Sequence, residues 1–177
     1  MPETPTHPSI ARVREAAAQH GVTIEVTVFD ESTHTAQEAA AALGAELGQI
    51  VKSLVFAVPG ESGPEPLLCL VSGPNRVDIA RLAEVTGVPD IRRATAREAR
   101  DMTGYSIGGI PPIGHPGPVR AIMDPDLGRY PVVWAAAGLP TAVFPLPPAT
   151  LQLLANATIA SIAEAPADAT ESGAARA

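Results

Sequence analysis

Two apolar runs, Gln49–Val58 and Leu67–Ser72, flank the segment PGESGPEP at 59–66, and nothing else constrains the fold of this chain as strongly. The first run is rich in β-branched residues and stops at Pro59-Gly60. The Pro/Gly cluster after it is a turn signal, so the two runs are expected as neighbouring strands of a hairpin. Inside the first strand stands Lys52, the sole lysine of a chain that carries eleven arginines. A lysine in that position either reaches a phosphate or carboxylate as a point charge or snorkels to water from a strand end.

A chain of 177 residues, 46% of them apolar, is enough for one domain with a core and short of two. Its apolar runs are far too short to cross a bilayer. The first five residues have neither the basic nor the apolar region of a secretory signal, so a cytoplasmic protein without a membrane partner is expected. The single cysteine, Cys69, sits in the run Leu67–Val71 and reads as a buried structural thiol. A net charge of −7 argues against broad coating of nucleic acid. Locally the balance reverses: between residues 76 and 100, six arginines face four carboxylates, a net of +2. That stripe suits a few phosphates, and equally a solvated helix face laced with ion pairs.

Taken in order, residues 1–8 are expected to be loose, 9–163 to form the domain and 164–177 a disordered tail. Ser9 is expected to cap a helix over 10–20 that Gly21 stops, and the alternating VTIEVTVF at 22–29 reads as a strand. Thr35 with Glu38 is a capping box opening an alanine-rich helix. Asp78 caps a helix that runs to Thr86 before Gly87. Thr95 with Glu98 is a second capping box for a helix ending at Thr103-Gly104. Further strands are expected at 119–123, 131–135 and 141–146, and a last helix at 148–155. Helices interspersed among hairpin-like strand pairs make the fold class α+β, mixed α/β, in a single domain.

The four histidines at 7, 20, 34 and 115 are scattered and no Cys/His pair has ligand spacing, so no metal is expected. There is no nucleophile elbow and no Walker-type phosphate loop. The informative stretch is Tyr105–Pro118, whose prolines and glycines exclude both helix and central strand. With Gly108, Gly109 and Gly114 it either lets backbone groups approach a ligand or merely turns a corner.

Taken together, Thr35–Ala40, Ile50–Phe56, Gly73-x-x-Arg76-x-Asp78, Thr103–Gly114 with its Gly108-Gly109-Ile110-Pro111-Pro112-Ile113-Gly114 run, and Val133-Trp134 resemble the YbaK/prolyl-tRNA-synthetase-associated editing domain family. The resemblance covers about residues 9–163. It implies a mixed, partly barrel-like sheet flanked by helices, no metal or other cofactor, and a free-standing enzyme that hydrolyses the ester of mischarged aminoacyl-tRNA. The implied partners are the acceptor end of that tRNA, typically the one for proline, and prolyl-tRNA synthetase. On this resemblance Lys52 holds the phosphate/ribose end, and Gly108 and Gly109 complete the catalytic centre. Phe29, Ser53, Ile110, Pro112, Gly114, His115 and Ala136 line the substrate pocket, with His115 a general base or a packing residue of the loop. Arg76, Arg92 and Arg93 contact the tRNA.

Such chemistry needs no strong nucleophile, because an aminoacyl ester is already activated. Positioned water and oxyanion donors suffice, one donor being worth about 3 kcal/mol. Family members that act on cysteinyl-tRNA carry a Ser-Gly-Gly-Arg-like segment where this chain reads Ala135–Pro140, and Phe29 replaces a tyrosine found in some. An apolar wall of Phe29, Ala135 and Ala136 suits alanine or another small aliphatic side chain. Two other classes stay open at this level: a binding module of the same fold without turnover, and a small-molecule hydrolase with no RNA partner.

Overall fold

The computed structural model describes residues 6–31, 33 and 35–165. The hairpin is there: strands β2 (Val51–Val58) and β3 (Glu65–Ser72) pair antiparallel over their whole lengths, Lys52 opposite Val71. Gly63 in the turn adopts a φ of +123°, a conformation that favours glycine. β4 (Arg92–Arg93) joins the outer side of β2 antiparallel, while β5 (Arg120–Met123) and β8 (Thr158–Ile159) extend the sheet from β3 in parallel, giving the order β4-β2-β3-β5-β8. A second, antiparallel sheet has the order β1-β7-β6, from Thr27–Val28, Ala142–Leu146 and Val133–Ala136. One bridge, Ile50 to Trp134, stitches the two sheets, and they do not close into a barrel.

Both faces of the larger sheet are covered, which is why β3 reads as a continuous apolar run rather than an alternating one. Leu68 and Leu70 point to the main core with Val51, Val55 and Ala57 of β2, the inward residues of β6 and β7, and Leu151 and Leu154 of α5 (Pro148–Ala155). Leu67, Cys69 and Val71 point the other way, onto Phe56, Ile122, Ile162 and Leu82 of α3 (Ile79–Thr86). Cys69 is fully buried and its thiol pKa is pushed up to about 12 by burial, so it is an inert packing residue.

The caps follow the sequence, except that the box expected at Thr95 and Glu98 is only half formed because Arg92 takes the carboxylate. Thr35 and Glu38 form the reciprocal box at α2 (Ala36–Leu43), and Gly44 ends it with φ +64°. Asp78 caps α3 through the Arg81 amide. At α4 (Ala96–Thr103) Thr95 accepts from the Glu98 amide, while the Glu98 carboxylate is engaged by Arg92 in two bonds of 3.0 and 2.9 Å.

Three expectations are corrected. α1 (Pro8–Ala18) starts earlier than expected, because the His7 imidazole rather than Ser9 accepts the first free amide and Pro8 occupies the first turn. Of the expected strand 22–29 only Thr27–Val28 pairs. Ile24 is buried between exposed neighbours, but the alternation fails at Val28, which is 59% exposed, and β7 offers partners only at Val143, Ala142 and the Thr141 carbonyl. β8 was not foreseen; it is two residues long and follows Asn156 at φ +48°. Residues 162–164 lie along 76–78, with the Glu164 amide donating to the Arg76 carbonyl at 2.7 Å. The outer parts of the expected loose N-terminus (1–5) and tail (166–177) lie outside the described residues.

Candidate active site

Where β2 begins, between α2, the 105–118 loop and the turn joining β6 to β7, a cleft of about 210 Å³ opens. Its walls are mainly apolar: Ile50, Val51 and Val55 from the sheet, Ala36 and Ala39 from α2, Ala94 and Ala99 beside α4, and Trp134, Ala136 and Val143 from the second sheet. Lys52 and Arg93 also line it, as do Ile107, Gly108 and Ile110. The lysine and the glycine loop, 56 positions apart in the chain, therefore line one cleft.

Lys52 is half-buried, and its ammonium donates to the Asn75 carbonyl. Burial, then the Arg76 and Arg93 guanidinium groups, pull its pKa below the ordinary lysine value, and Asp124 pulls it back up. Neither Arg76 nor Arg93 makes an ion pair among the described residues; Arg93 lies over the Phe56 ring at 5.7 Å. Two guanidinium groups thus act on the Lys52 charge, Arg93 lining the cleft with it and Arg76 outside the lining, neither with a carboxylate in contact among the described residues, an arrangement that attracts an anion. Arg92 is different: its pair with Glu98 on the surface occupies it.

Ser53 follows Lys52 and also lines the cleft. Its hydroxyl oxygen is buried and has no hydrogen-bond partner. A buried polar atom left unpaired costs about 1–3 kcal/mol and calls for an explanation.

The loop divides into a working edge and a brace. At the edge, Gly108 has φ +94°, and the Gly109 amide is committed to the Ser106 carbonyl at 3.0 Å. Gly109 itself does not line the cleft. It packs on the backbone of Leu139 and Pro140, where a Cβ would stand 2.7 Å from the Leu139 carbonyl carbon. The brace is the far half: the Tyr105 hydroxyl donates to the Gly114 carbonyl at 2.7 Å, and His115 Nε2 lies 2.9 Å from the Pro111 carbonyl. Since a carbonyl only accepts, Nε2 carries the proton. His115 meets Tyr105 edge-on, and Arg12 covers the other ring contact at 4.8 Å.

The cleft therefore gathers Lys52, Ser53, Arg93, Gly108, Ile110 and Ala136. It does not gather Pro112, Gly114 and His115, which border a separate depression with Gln19 and His20. Phe29 borders a third, with Glu31 and Glu38. His115 borders that separate depression with its Nε2 bonded within the loop; burial lowers its pKa, with the Pro111 bond opposing. Trp134, Ile107 and the alanines of α2 and α4 are wall residues that sequence reading passed over. The one available signal was Trp134, the chain's sole tryptophan.

Residues 30–154 match the model of the aminoacyl-tRNA editing domain, a span that contains every residue of the cleft. The chain belongs to the aminoacyl-tRNA editing domain family. Among solved structures, the editing domain is similar to a candidate trans-editing enzyme for prolyl-tRNA synthetase, at 47% identity and a TM-score of 0.82 over 91% of this chain and all of that one. It is 27% identical to EbsC of Enterococcus faecalis, a provisionally named Cys-tRNA(Pro)/Cys-tRNA(Cys) deacylase, over 76% of this chain and 80% of that protein. It is also 37% identical to a stretch of the proline–tRNA ligase of Cupriavidus necator, covering 46% of this chain and 14% of the ligase. Editing domains of this family thus occur both alone and inside the ligase. Among the described residues of this one, no helix is long and apolar enough to cross a membrane, and no group of three or more metal-ligating side chains gathers.

Proposed function

We propose that this editing domain acts in trans as a deacylase, hydrolysing the ester between a tRNA, that for proline in the first instance, and a small amino acid wrongly attached to it. The observation that carries this reading is the cleft's division of labour. Lys52 and Arg93, with Arg76 acting on the lysine from nearby, border an alanine-lined pocket into which the buried Ser53 hydroxyl enters with no hydrogen-bond partner among the described residues. The cations suit the phosphates of an acceptor end. The pocket suits a short aliphatic side chain, and Ser53 is positioned to hydrogen-bond the aminoacyl group.

In this reading a water oxygen attacks the ester carbonyl carbon, the carbon–oxygen bond to the terminal ribose breaks, and the ribose oxygen takes a proton. Lys52 holds the nucleic-acid end rather than moving protons. Of the two glycines, Gly108 is the better placed to turn its amide toward the oxyanion, since that of Gly109 is already bonded within the loop. A water-excluded pocket with one well-aimed donor supplies about 3 kcal/mol.

The walls favour alanine over cysteine. The place of the Ser-Gly-Gly-Arg-like segment is taken by Ala135–Pro140, so the cleft meets a substrate thiol with apolar groups. The test is deacylation of the proline tRNA charged with alanine, cysteine, serine or threonine. Alanine is expected to be removed fastest, and a clear preference for cysteine overturns the specificity. Lys52→Ala is expected to lower kcat/KM for deacylation steeply, chiefly through KM, with the fold retained. Absence of wild-type hydrolysis of any charged tRNA would reduce the chain to a binding module, and binding indifferent to salt would remove RNA from the picture.

A further inference from the structure

Lys52 is held by a group from outside its own strand, the Asn75 backbone carbonyl. Asn75 closes the turn after β3, its amide donating to the Ser72 carbonyl at 2.9 Å. The turn depends on Gly73, where any Cβ would overlap the Leu47 carbonyl oxygen. What holds Asn75 is a carboxylate some fifty positions further on: its side-chain amide donates to Asp124 Oδ2 and to Asp126 Oδ2, both at 2.7 Å. The same Asp124 oxygen accepts the Ser72 amide at 3.2 Å, so one carboxylate grips both ends of the turn.

Asp124 is itself immobile. It is 1% exposed, its amide continues the β3–β5 ladder to the Leu70 carbonyl, and its Oδ1 accepts the Asp126 amide at 3.0 Å. A carboxylate is buried at this level only when its lone pairs are met by donors, and here three N–H groups meet them.

We propose that Asp124 is a positioning residue for Lys52: through the Asn75 side chain it fixes the carbonyl that anchors the ammonium at the side of the cleft. The charge arrangement agrees. The groups that face Lys52 are Arg76 and Arg93, which oppose its protonation, and Asp124, which favours it. Asp126, also bonded to Asn75, is shared with Arg129 at 3.2 Å. This inference rests on the deacylase reading for its consequence in catalysis, and on geometry alone for the aim of Lys52.

The chain's sole lysine makes the test direct. Full-length protein grown with 13C,15N-lysine and carrying no lysine-containing addition shows one lysine side-chain signal, whose titration midpoint and ε-carbon relaxation report on Lys52 alone. Asp124→Asn is expected to lower the midpoint. Asn75→Ala, which leaves every charge in place, is expected to increase ε-carbon motion. In both, kcat/KM for deacylation is expected to fall by about 10- to 100-fold, the scale of a small misplacement. The loss should appear mainly in KM, because Lys52 holds ground and transition states alike. An unchanged midpoint and unchanged motion in the folded variants overturn the proposal, as does an altered signal with unaltered KM. Should Asp124→Asn fail to fold, Asn75→Ala decides. A wild-type protein that deacylates nothing refutes the function, while the lysine signal still decides the positioning.

Discussion

Gly109 and Leu139 are in backbone contact: a Cβ on the glycine would stand 2.7 Å from the Leu139 carbonyl carbon and 2.8 Å from its Cα. Neither neighbour is a flexible side-chain end that could swing aside, so the loop and the β6–β7 turn are seated as a pair. Pro140 carries the contact onward, since its carbonyl accepts the Thr33 hydroxyl at 3.1 Å. Two pieces of irregular backbone are thereby held at the cleft mouth without a hydrogen-bonded ladder between them.

Gly109→Ala should separate that pair. Overpacking of this kind destabilises by about 1–3 kcal/mol, and displacement of the adjacent Gly108 should reduce kcat/KM by roughly 10- to 100-fold. Thermal unfolding and steady-state deacylation measure the two effects. Unaltered kinetics would mean that Gly108 does not touch the reacting group.

Ser53→Ala is expected to move stability and activity in opposite directions. Removing a buried hydroxyl that has no partner should leave the fold as stable or up to about 1 kcal/mol more so. Deacylation should drop about tenfold, the worth of one neutral hydrogen bond to substrate. A loss of stability on this substitution would show that the hydroxyl is satisfied within the protein.

Lys52→Met carries the same signature at the other wall. In the folded protein the lysine pKa is depressed, by burial and then by Arg76 and Arg93, so folding binds the ammonium less readily than the unfolded chain does. Below both pKa values the charged lysine therefore weakens the fold, and stability rises as pH climbs from the folded value toward the ordinary 10.5. Methionine should abolish that alkaline rise and make the fold somewhat more stable at neutral pH. Denaturant unfolding at a series of pH values would detect it. A destabilised variant at neutral pH would contradict the sign.

His115→Gln tests the brace. The folded pKa of His115 lies below 6.5, mainly because of burial. Protonation therefore favours the unfolded chain, and the histidine's contribution is lost as pH falls below about that value. Glutamine retains a donor toward the Pro111 carbonyl, so deacylation at neutral pH should stay within about threefold of wild type, while the acid-side decline in stability becomes shallower. A collapse of kcat with unchanged stability would restore His115 as a general base.

Several parts of this molecule were legible in the chain because their causes are local. The β2–β3 hairpin follows from two β-forming runs around a Pro/Gly turn, and the caps at Thr35, Asp78 and Thr95 act on amides three residues away. Other parts were misread for an equally physical reason. The alternation at 22–29 marks Ile24 as buried but does not say whether a neighbouring strand has edge left to pair with. The glycine–proline loop was recognisable as rigid, but which of its faces meets a ligand depends on Tyr105, His115 and the distant Leu139–Pro140 turn.

By itself, then, the amino-acid order determined the fold class, most helix ends, the central hairpin and two segments that line the candidate cleft, around Lys52–Ser53 and Gly108–Ile110. Each depends on short-range sterics or on hydrophobic pattern within one element. Only the tertiary structure decided that Trp134 and the alanines of α2 and α4 shape the cleft, that Phe29, Pro112, Gly114 and His115 stand away from it, and that Asp124 reaches Lys52 through Asn75. Those relations join residues tens of positions apart through packing and hydrogen bonds, and such contacts leave no local mark in a sequence.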